Sequence, residues 1–265
     1  MMMTSATVRA HYAPVNGLRM YYEEAGRGRP LLLLHGGGST AQTTFGALMP
    51  ALSRSHHVIA PEQQAHGHTG DIERALSFEQ IAGDMDALLE HLGLAQADVI
   101  GFSAGGVAAT QLALRHPLRV RRLVLCSSFY ARAGLPPTLW EGMAHATPAN
   151  MPDVLREALF AAAPRREEVP RMFARQVGLM QSFRDIDESA LRSIRAPALV
   201  MAGDADVMPV EHVASLARLL PHAELAVLPG SAHGTYLGAL EGAKAGSHLP
   251  ALTLAMLEEF LTRAD

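Results

Sequence analysis

Cysteine is nearly absent: Cys126 is the single one in 265 residues, so no intrachain disulfide can staple the fold. It adjoins the apolar run Leu123-Val124-Leu125, which predicts a buried, inert thiol and a reduced, cytoplasmic setting. Basic charge is scarce too, with 22 Lys and Arg against 26 Asp and Glu and a formal charge of −4. That leaves no surplus to neutralise a phosphate backbone, so nucleic acid is not an expected partner. No apolar run reaches the roughly 18 residues of a spanning helix. The opening MMMTSATVRAHYAPVNG lacks an apolar segment followed by a small-residue cleavage site, so neither secretion nor membrane embedding is expected, and its leading methionines read as a cloning remnant. Internal repeats and low-complexity tracts are also missing.

What is present is an ordinary globular composition, 49% hydrophobic and 18% charged, with a mean hydropathy of +0.10. A chain of this length can bury one full core. The expectation is one catalytic domain, a monomer or small homo-oligomer, that takes a small and mostly uncharged ligand.

Short apolar runs alternate with amphipathic stretches, the pattern of a mainly parallel sheet with helices on both faces, an α/β fold. Strands are expected over Leu18 to Glu24, Leu31 to Leu34, His57 to Ala60, Ala97 to Phe102, Val120 to Cys126, Ala198 to Met201 and Ala223 to Leu228. Ser77 caps a helix running through Glu90, with Gln80 completing a capping box. Further helices are expected from Ala104 to His116, about Val210 to Leu219 and about Pro250 to Arg263. Residues 128–195 lack strand patterning and carry six scattered prolines, Pro136, Pro137, Pro148, Pro152, Pro164 and Pro170. They read as a small helical lid inserted between two halves of the core, 1–127 and 196–265, too interrupted to be an independent domain.

Gly101-Phe102-Ser103-Ala104-Gly105 lies where a buried strand meets a helix. Glycines flanking the serine relieve crowding at such a strained turn and raise its hydroxyl above the sheet, as a nucleophile requires. A serine hydroxyl needs a base, and the base needs a third group to hold its tautomer. Asp204 and Asp206 both follow the strand ending at Ala202, where open α/β sheets place their ligand sites. Asp206, deeper in the loop, is favoured as the acid and Asp204 as a turn residue. Of thirteen histidines, His233 stands out in Pro229-Gly230-Ser231-Ala232-His233-Gly234, a loop directly after a strand. An oxyanion needs preorganised N–H donors. His35-Gly36-Gly37-Gly38 after the leucine run can turn one inward, which makes Gly37 and Ala104 the expected pair and His35 an orienting residue.

In this order, and with Pro61-Glu62-Gln63-Gln64-Ala65-His66-Gly67-His68 after the third strand read, these motifs resemble the α/β-hydrolase superfamily over nearly the whole chain. The resemblance implies that Gly37 serves the oxyanion hole, Ser103 is the nucleophile, Asp206 the acid and His233 the base, with the lid between the sixth and seventh strands of the fold. Gly203 to Asp206 keeps the G-x-x-D spacing, which favours Asp206. Haloalkane dehalogenases and many epoxide hydrolases carry aspartate where Ser103 stands, so halide displacement is disfavoured. Hormone-sensitive-lipase-like esterases carry a cap before the glycine run, and the residues preceding His35 are too few for one.

The PEQQ-x-HGHT text, Ala146 to Pro152 and Gly234 to Gly238 resemble a branch that includes macrolide esterases, which implies a serine esterase opening a carboxylic ester or lactone. The rivals on the same residues are a cofactor-free perhydrolase, a carbon–carbon bond hydrolase and a ligand-sensing protein. Trp140, Met143, Met151, Met172, Phe173, Met180 and Phe183 offer adaptable apolar surface in the lid. Gly38, His66, Trp140, Met143 and Met180 are the expected substrate contacts, with no cofactor and no metal.

Overall fold

The computed structural model describes residues 7–264, and its sheet has eight strands in the order β1-β2-β4-β3-β5-β6-β7-β8. These are β1 (Arg9–Val15), β2 (Leu18–Ala25), β3 (Arg29–Leu34), β4 (His56–Pro61), β5 (Ala97–Phe102), β6 (Val120–Cys126), β7 (Ala198–Gly203) and β8 (Ala223–Leu228). β2 pairs antiparallel with β1 and β4, and every other pairing is parallel. The leading methionines lie outside the described residues.

The helices are α1 (Ala41–Phe45), α2 (Met49–Leu52), α3 (Phe78–His91), α4 (Ala104–Arg115), α5 (Pro137–Met143), α6 (Asp153–Ala162), α7 (Val169–Gln181), α8 (Glu188–Leu191), α9 (Val210–Leu219) and α10 (Leu249–Thr262). Successive strand residues point to opposite faces, and β3 shows what that does to an unbroken leucine run. Leu32 and Leu34 enter one core with Met85 of α3, Val107 of α4 and Val213 of α9. Leu31 and Leu33 enter the other with Phe45 of α1, Leu52 of α2 and Leu257 of α10. All four are fully buried, each contributing about 1.5–3 kcal/mol of transfer free energy. A strand needing apolar side chains on both faces must be central, and β3 lies between β4 and β5.

Two sequence expectations change. β1 was not legible, because RAHYAPV buries only Ala13 and Val15 and exposes Arg9, Ala10, Tyr12 and Pro14, the pattern of a wet edge strand that tolerates proline. The capping box of α3 is only half made. Ser77 accepts from the Gln80 N–H at 3.1 Å, but the Gln80 side chain turns forward to Asp84 Oδ1 at 3.2 Å and not back to the cap.

Between β6 and β7 the chain leaves the sheet and forms α5 to α8. Its own core is small, with Leu159, Val169 and Phe173 buried together. The remainder leans on the main core through Leu179, Phe183, Ile186 and Leu191. Among the described residues no helix is long and apolar enough to cross a membrane. Cys126 is fully buried, and burial pushes its thiol up to about 12.

Candidate active site

β5 ends at Phe102, α4 begins at Ala104, and Ser103 between them takes φ 53°, ψ −121°. A non-glycine residue there is strained by roughly 1–3 kcal/mol and persists only where its surroundings enforce it. Here the enforcement is close packing. A Cβ on Gly101 would sit 2.4 Å from the Gly105 carbonyl oxygen, and one on Gly105 would sit 2.2 Å from that of Leu34. Both glycines are therefore required for α4 to approach β3 and β5. The Ser103 N–H donates to the Cys126 carbonyl at 2.9 Å, which fixes the turn against β6.

The loop after β3 carries His35 at full burial. Its Nδ1 donates to the Gly36 carbonyl at 2.8 Å, and its Nε2 accepts the Gln63 N–H at 3.1 Å. Burial, helped by the neighbouring His66 ring, pushes His35 down to about 3, so the ring stays neutral and serves as a strut. Gly37 follows, and a Cβ there would lie 3.6 Å from that of Ala104. The two backbones flank one opening. Ala104, as the first residue of α4, has no intrahelical acceptor for its N–H, and the helix N-terminus adds positive potential at that point.

At the end of β7 the two carboxylates separate in role. Asp204 accepts the Ser231 N–H at 3.1 Å and braces the loop after β8. Asp206 has a fully buried side chain. Its Oδ1 accepts from His233 Nδ1 and from the Val207 N–H, both at 2.7 Å, and its Oδ2 accepts from Ser127 Oγ. Burial pushes the Asp206 carboxyl up, but the bond and charge of His233 and the Ser127 and Val207 donors outweigh it and bring it below its ordinary value. With Nδ1 committed to Asp206, the Nε2 of His233 is left for proton transfer. The ring packs on Phe102, centroids 4.7 Å apart, one residue before Ser103.

A cavity of about 230 Å³ opens beside Ser103 and Ala104, lined further by Gly37, Gly38, Met143, Met151, Gln176 and Met180. The lining is uncharged. Of the expected substrate contacts, Gly38, Met143 and Met180 therefore line the cavity. Two do not, and each has a physical reason. Trp140 is turned into an aromatic cluster with Phe129 and Phe183, and its indole N–H donates to the Arg132 carbonyl at 2.9 Å. His66 is buried at 2% exposure, its ring 4.9 Å from that of His35 and its Nδ1 on the Gln64 carbonyl at 3.0 Å.

Three polar residues at the site escaped the sequence reading. Gln176 of α7 donates to the Ala65 carbonyl and lines the cavity, while its buried Oε1 has no hydrogen-bond partner among the described residues. Ser127 and Tyr236 stand behind Asp206. The only sequence signals were Ser127's position just past a parallel strand and Tyr236's three residues beyond His233. Among the described residues no three His, Cys, Asp or Glu side chains gather as metal ligands would.

An eight-stranded, mostly parallel sheet with its nucleophile-type turn, buried carboxylate and histidine at the same strand ends defines a class. Residues 29–178 match the family model of the alpha/beta hydrolase fold, and the chain belongs to that family of hydrolases. It is similar to a 2-hydroxymuconate semialdehyde hydrolase of Pseudomonas putida, at 32% identity over 94% of this chain and 92% of that protein. A protein of the same name from Pseudomonas sp. strain CF600 is 29% identical over 83% of this chain and 86% of its own length. Among solved structures, a serine hydrolase involved in carbazole degradation superposes with a TM-score of 0.79 at 20% identity, covering 97% of this chain and 99% of that one. At that identity the likeness shows the fold alone.

Proposed function

We propose that the chain is a serine hydrolase that cleaves a neutral carboxylic ester or lactone through an acyl-enzyme on Ser103. The observation that carries this reading is the 2.7 Å bond from His233 Nδ1 to the buried Asp206, beside a cavity that contains Ser103 and has no charged lining. His233 Nε2 takes the Ser103 proton as Oγ attacks the carbonyl carbon, and the Gly37 and Ala104 amides hold the oxyanion. The tetrahedral intermediate collapses as His233 returns the proton to the leaving alkoxide. Water, deprotonated by the same imidazole, then releases the acid and restores Ser103.

The uncharged lining favours a neutral substrate. Ligand pockets commonly span about 300–1,000 Å³, so the cavity as it stands suits a compact acyl group. Residues 128–195 act in this reading as a lid, and Met143, Met151 and Met180, which line the cavity from that segment, can repack around something larger. A macrolactone, which the macrolide-esterase resemblance implies, requires that repacking. Gln176 Oε1 is the acceptor that a substrate hydroxyl would meet there. The reduced Cys126 and the absence of a spanning helix among the described residues are consistent with a cytoplasmic enzyme.

A second reading is hydrolysis of a carbon–carbon bond on the same residues, favoured by the relatives named for 2-hydroxymuconate semialdehyde. A muconate-type substrate is an anion, and the cavity lining offers it no cationic side chain. Mass spectrometry of reactions with short aryl esters, long acyl esters, a macrolactone and a dienoate diketone separates the two. The expected result is gain of water on an ester or lactone that disappears in Ser103→Ala. Turnover of the diketone alone supports the second reading, and unchanged ester turnover by Ser103→Ala sinks both.

A further inference from the structure

The Asp206 carboxylate is held at both oxygens, and only one of them is held by histidine. Ser127 lies just past β6, fully buried, with φ +47°, a backbone state that a side chain other than glycine's rarely adopts. Its N–H donates to the Met201 carbonyl at 2.7 Å, which pins the strained residue to β7. Its Oγ donates to Asp206 Oδ2. Having spent its one proton there, Oγ can only accept from the Tyr236 hydroxyl 2.8 Å away, whose single proton is shared between Ser127 Oγ and the Met201 carbonyl at 3.2 Å. Tyr236 is completely buried, and burial holds its phenol protonated, well above its ordinary range.

We propose that Ser127, oriented by Tyr236, is a positioning residue for the catalytic acid: it fixes Asp206 Oδ2 so that Oδ1 meets His233 Nδ1 in a single geometry. The inference rests on the Ser103–His233–Asp206 reading above. Its physical content is a division of labour. Without Ser127, Oδ2 keeps only the long 3.4 Å bond from the Gly203 N–H, and a carboxylate so weakly held there can rotate about its terminal torsion, which has a broad two-fold profile. With Ser127 in place, rotation breaks a charge-assisted bond. The strain at Ser127 is the sort of backbone outlier that persists where the surroundings enforce it.

The titratable groups facing the carboxylate are His233 and Tyr236 from the segment after β8 and Cys126 from β6. Glu241, pushed up by burial, acts on His233 from farther along that segment. His233, bonded to the carboxylate through Nδ1, is the group on which the charge of Asp206 acts most directly. Removing the Ser127 donor concentrates negative charge on Asp206. That favours the imidazolium, and the acid limb of the activity profile moves to higher pH.

The test is the rate at which a fluorophosphonate labels Ser103, followed by intact mass between about pH 5 and 9, alongside hydrolysis of a p-nitrophenyl ester. Ser127→Gly removes the hydroxyl while suiting the positive φ, and Tyr236→Phe removes only the orienting hydroxyl; melting curves verify that both fold. Ser127→Gly is expected to label and turn over about 10–100-fold more slowly, as loss of a hydrogen bond to a charged group dictates, and Tyr236→Phe about 2–10-fold more slowly, since it loses only neutral hydrogen bonds. KM should hold, and the acid limb of Ser127→Gly should move upward. Parent rates in Ser127→Gly, or slower rates with an unmoved acid limb, overturn the positioning role while a slow Asp206→Asn leaves the triad standing. Parent rates in Asp206→Asn, or no labelling of Ser103 in the parent protein, overturn the triad and this inference with it.

Discussion

His35 and Gln63 hold each other at two points: the Gln63 N–H donates to His35 Nε2 at 3.1 Å, and Gln63 Nε2 donates to the His35 carbonyl at 2.9 Å. The pair locks the loop after β3, which carries Gly37, to the loop after β4. Gln63→Leu leaves the His35 carbonyl buried without its donor, at a cost of about 1–3 kcal/mol. For a chain of this size Tm is expected to fall roughly 2–4 °C for each kcal/mol. Ester turnover should fall at least tenfold as the Gly37 amide loses its placement. Calorimetry and initial rates check both.

Acid should weaken the fold through two histidines. Burial holds His35 near 3 and His66 near 4 in the folded chain, whereas both titrate near 6.5 once unfolded. Below about pH 6.5 the unfolded chain therefore binds more protons, and stability falls as pH drops, through about 4 for His66 and about 3 for His35. Each contributes a slope on the order of 1 kcal/mol per pH unit inside its window. The structural reason is visible at His35: a proton on Nε2 would face the Gln63 N–H, donor against donor. Urea titrations at pH 7 and 5 should show the loss, and His66→Leu should make it shallower.

The strain at Ser103 predicts a trade between stability and activity. Ser103→Ala keeps the positive φ of 53° and should melt close to the parent. Ser103→Gly is free of that strain, and with roughly 1 kcal/mol relieved its Tm should exceed that of Ser103→Ala by a few degrees. Both should be inactive. Equal melting temperatures for the two variants would mean that the elbow stores no strain.

Asp204 and Asp206 should separate in assay. Asp206→Asn retains the side chain's shape but offers His233 Nδ1 the wrong tautomeric partner, and a fall of about 10⁴ in kcat is expected, as in other serine triads. Asp204→Asn changes an exposed brace on the Ser231 N–H and should keep activity within about twofold, with a small loss in Tm. Comparable losses in both variants would contradict the division of roles.

The order of the candidate site residues along the chain was legible because each of them sits in a local motif. Ser103 between flanking glycines, Asp206 after a buried strand, His233 in a glycine-flanked loop and Gly37 behind a leucine run each announce themselves within about six residues. Seven of the eight strands could be read, and five of them, β3 to β7, are the short, buried apolar runs that strands inside a sheet need. β1 was hidden because RAHYAPV has no apolar run and buries only Ala13 and Val15.

Only the tertiary structure decided which side chains share a cavity. Trp140 and Met180 look alike in sequence, as large apolar residues in one insertion. Yet Phe183 lies 6.3 Å from Trp140 by ring centroid and draws it into packing, while Met180 remains on the cavity wall. Ser127 and Tyr236 are 109 residues apart and meet behind Asp206 because β6 pairs with β7 and β7 with β8. Such partnerships are set by sheet order and packing direction, which no single stretch of sequence encodes.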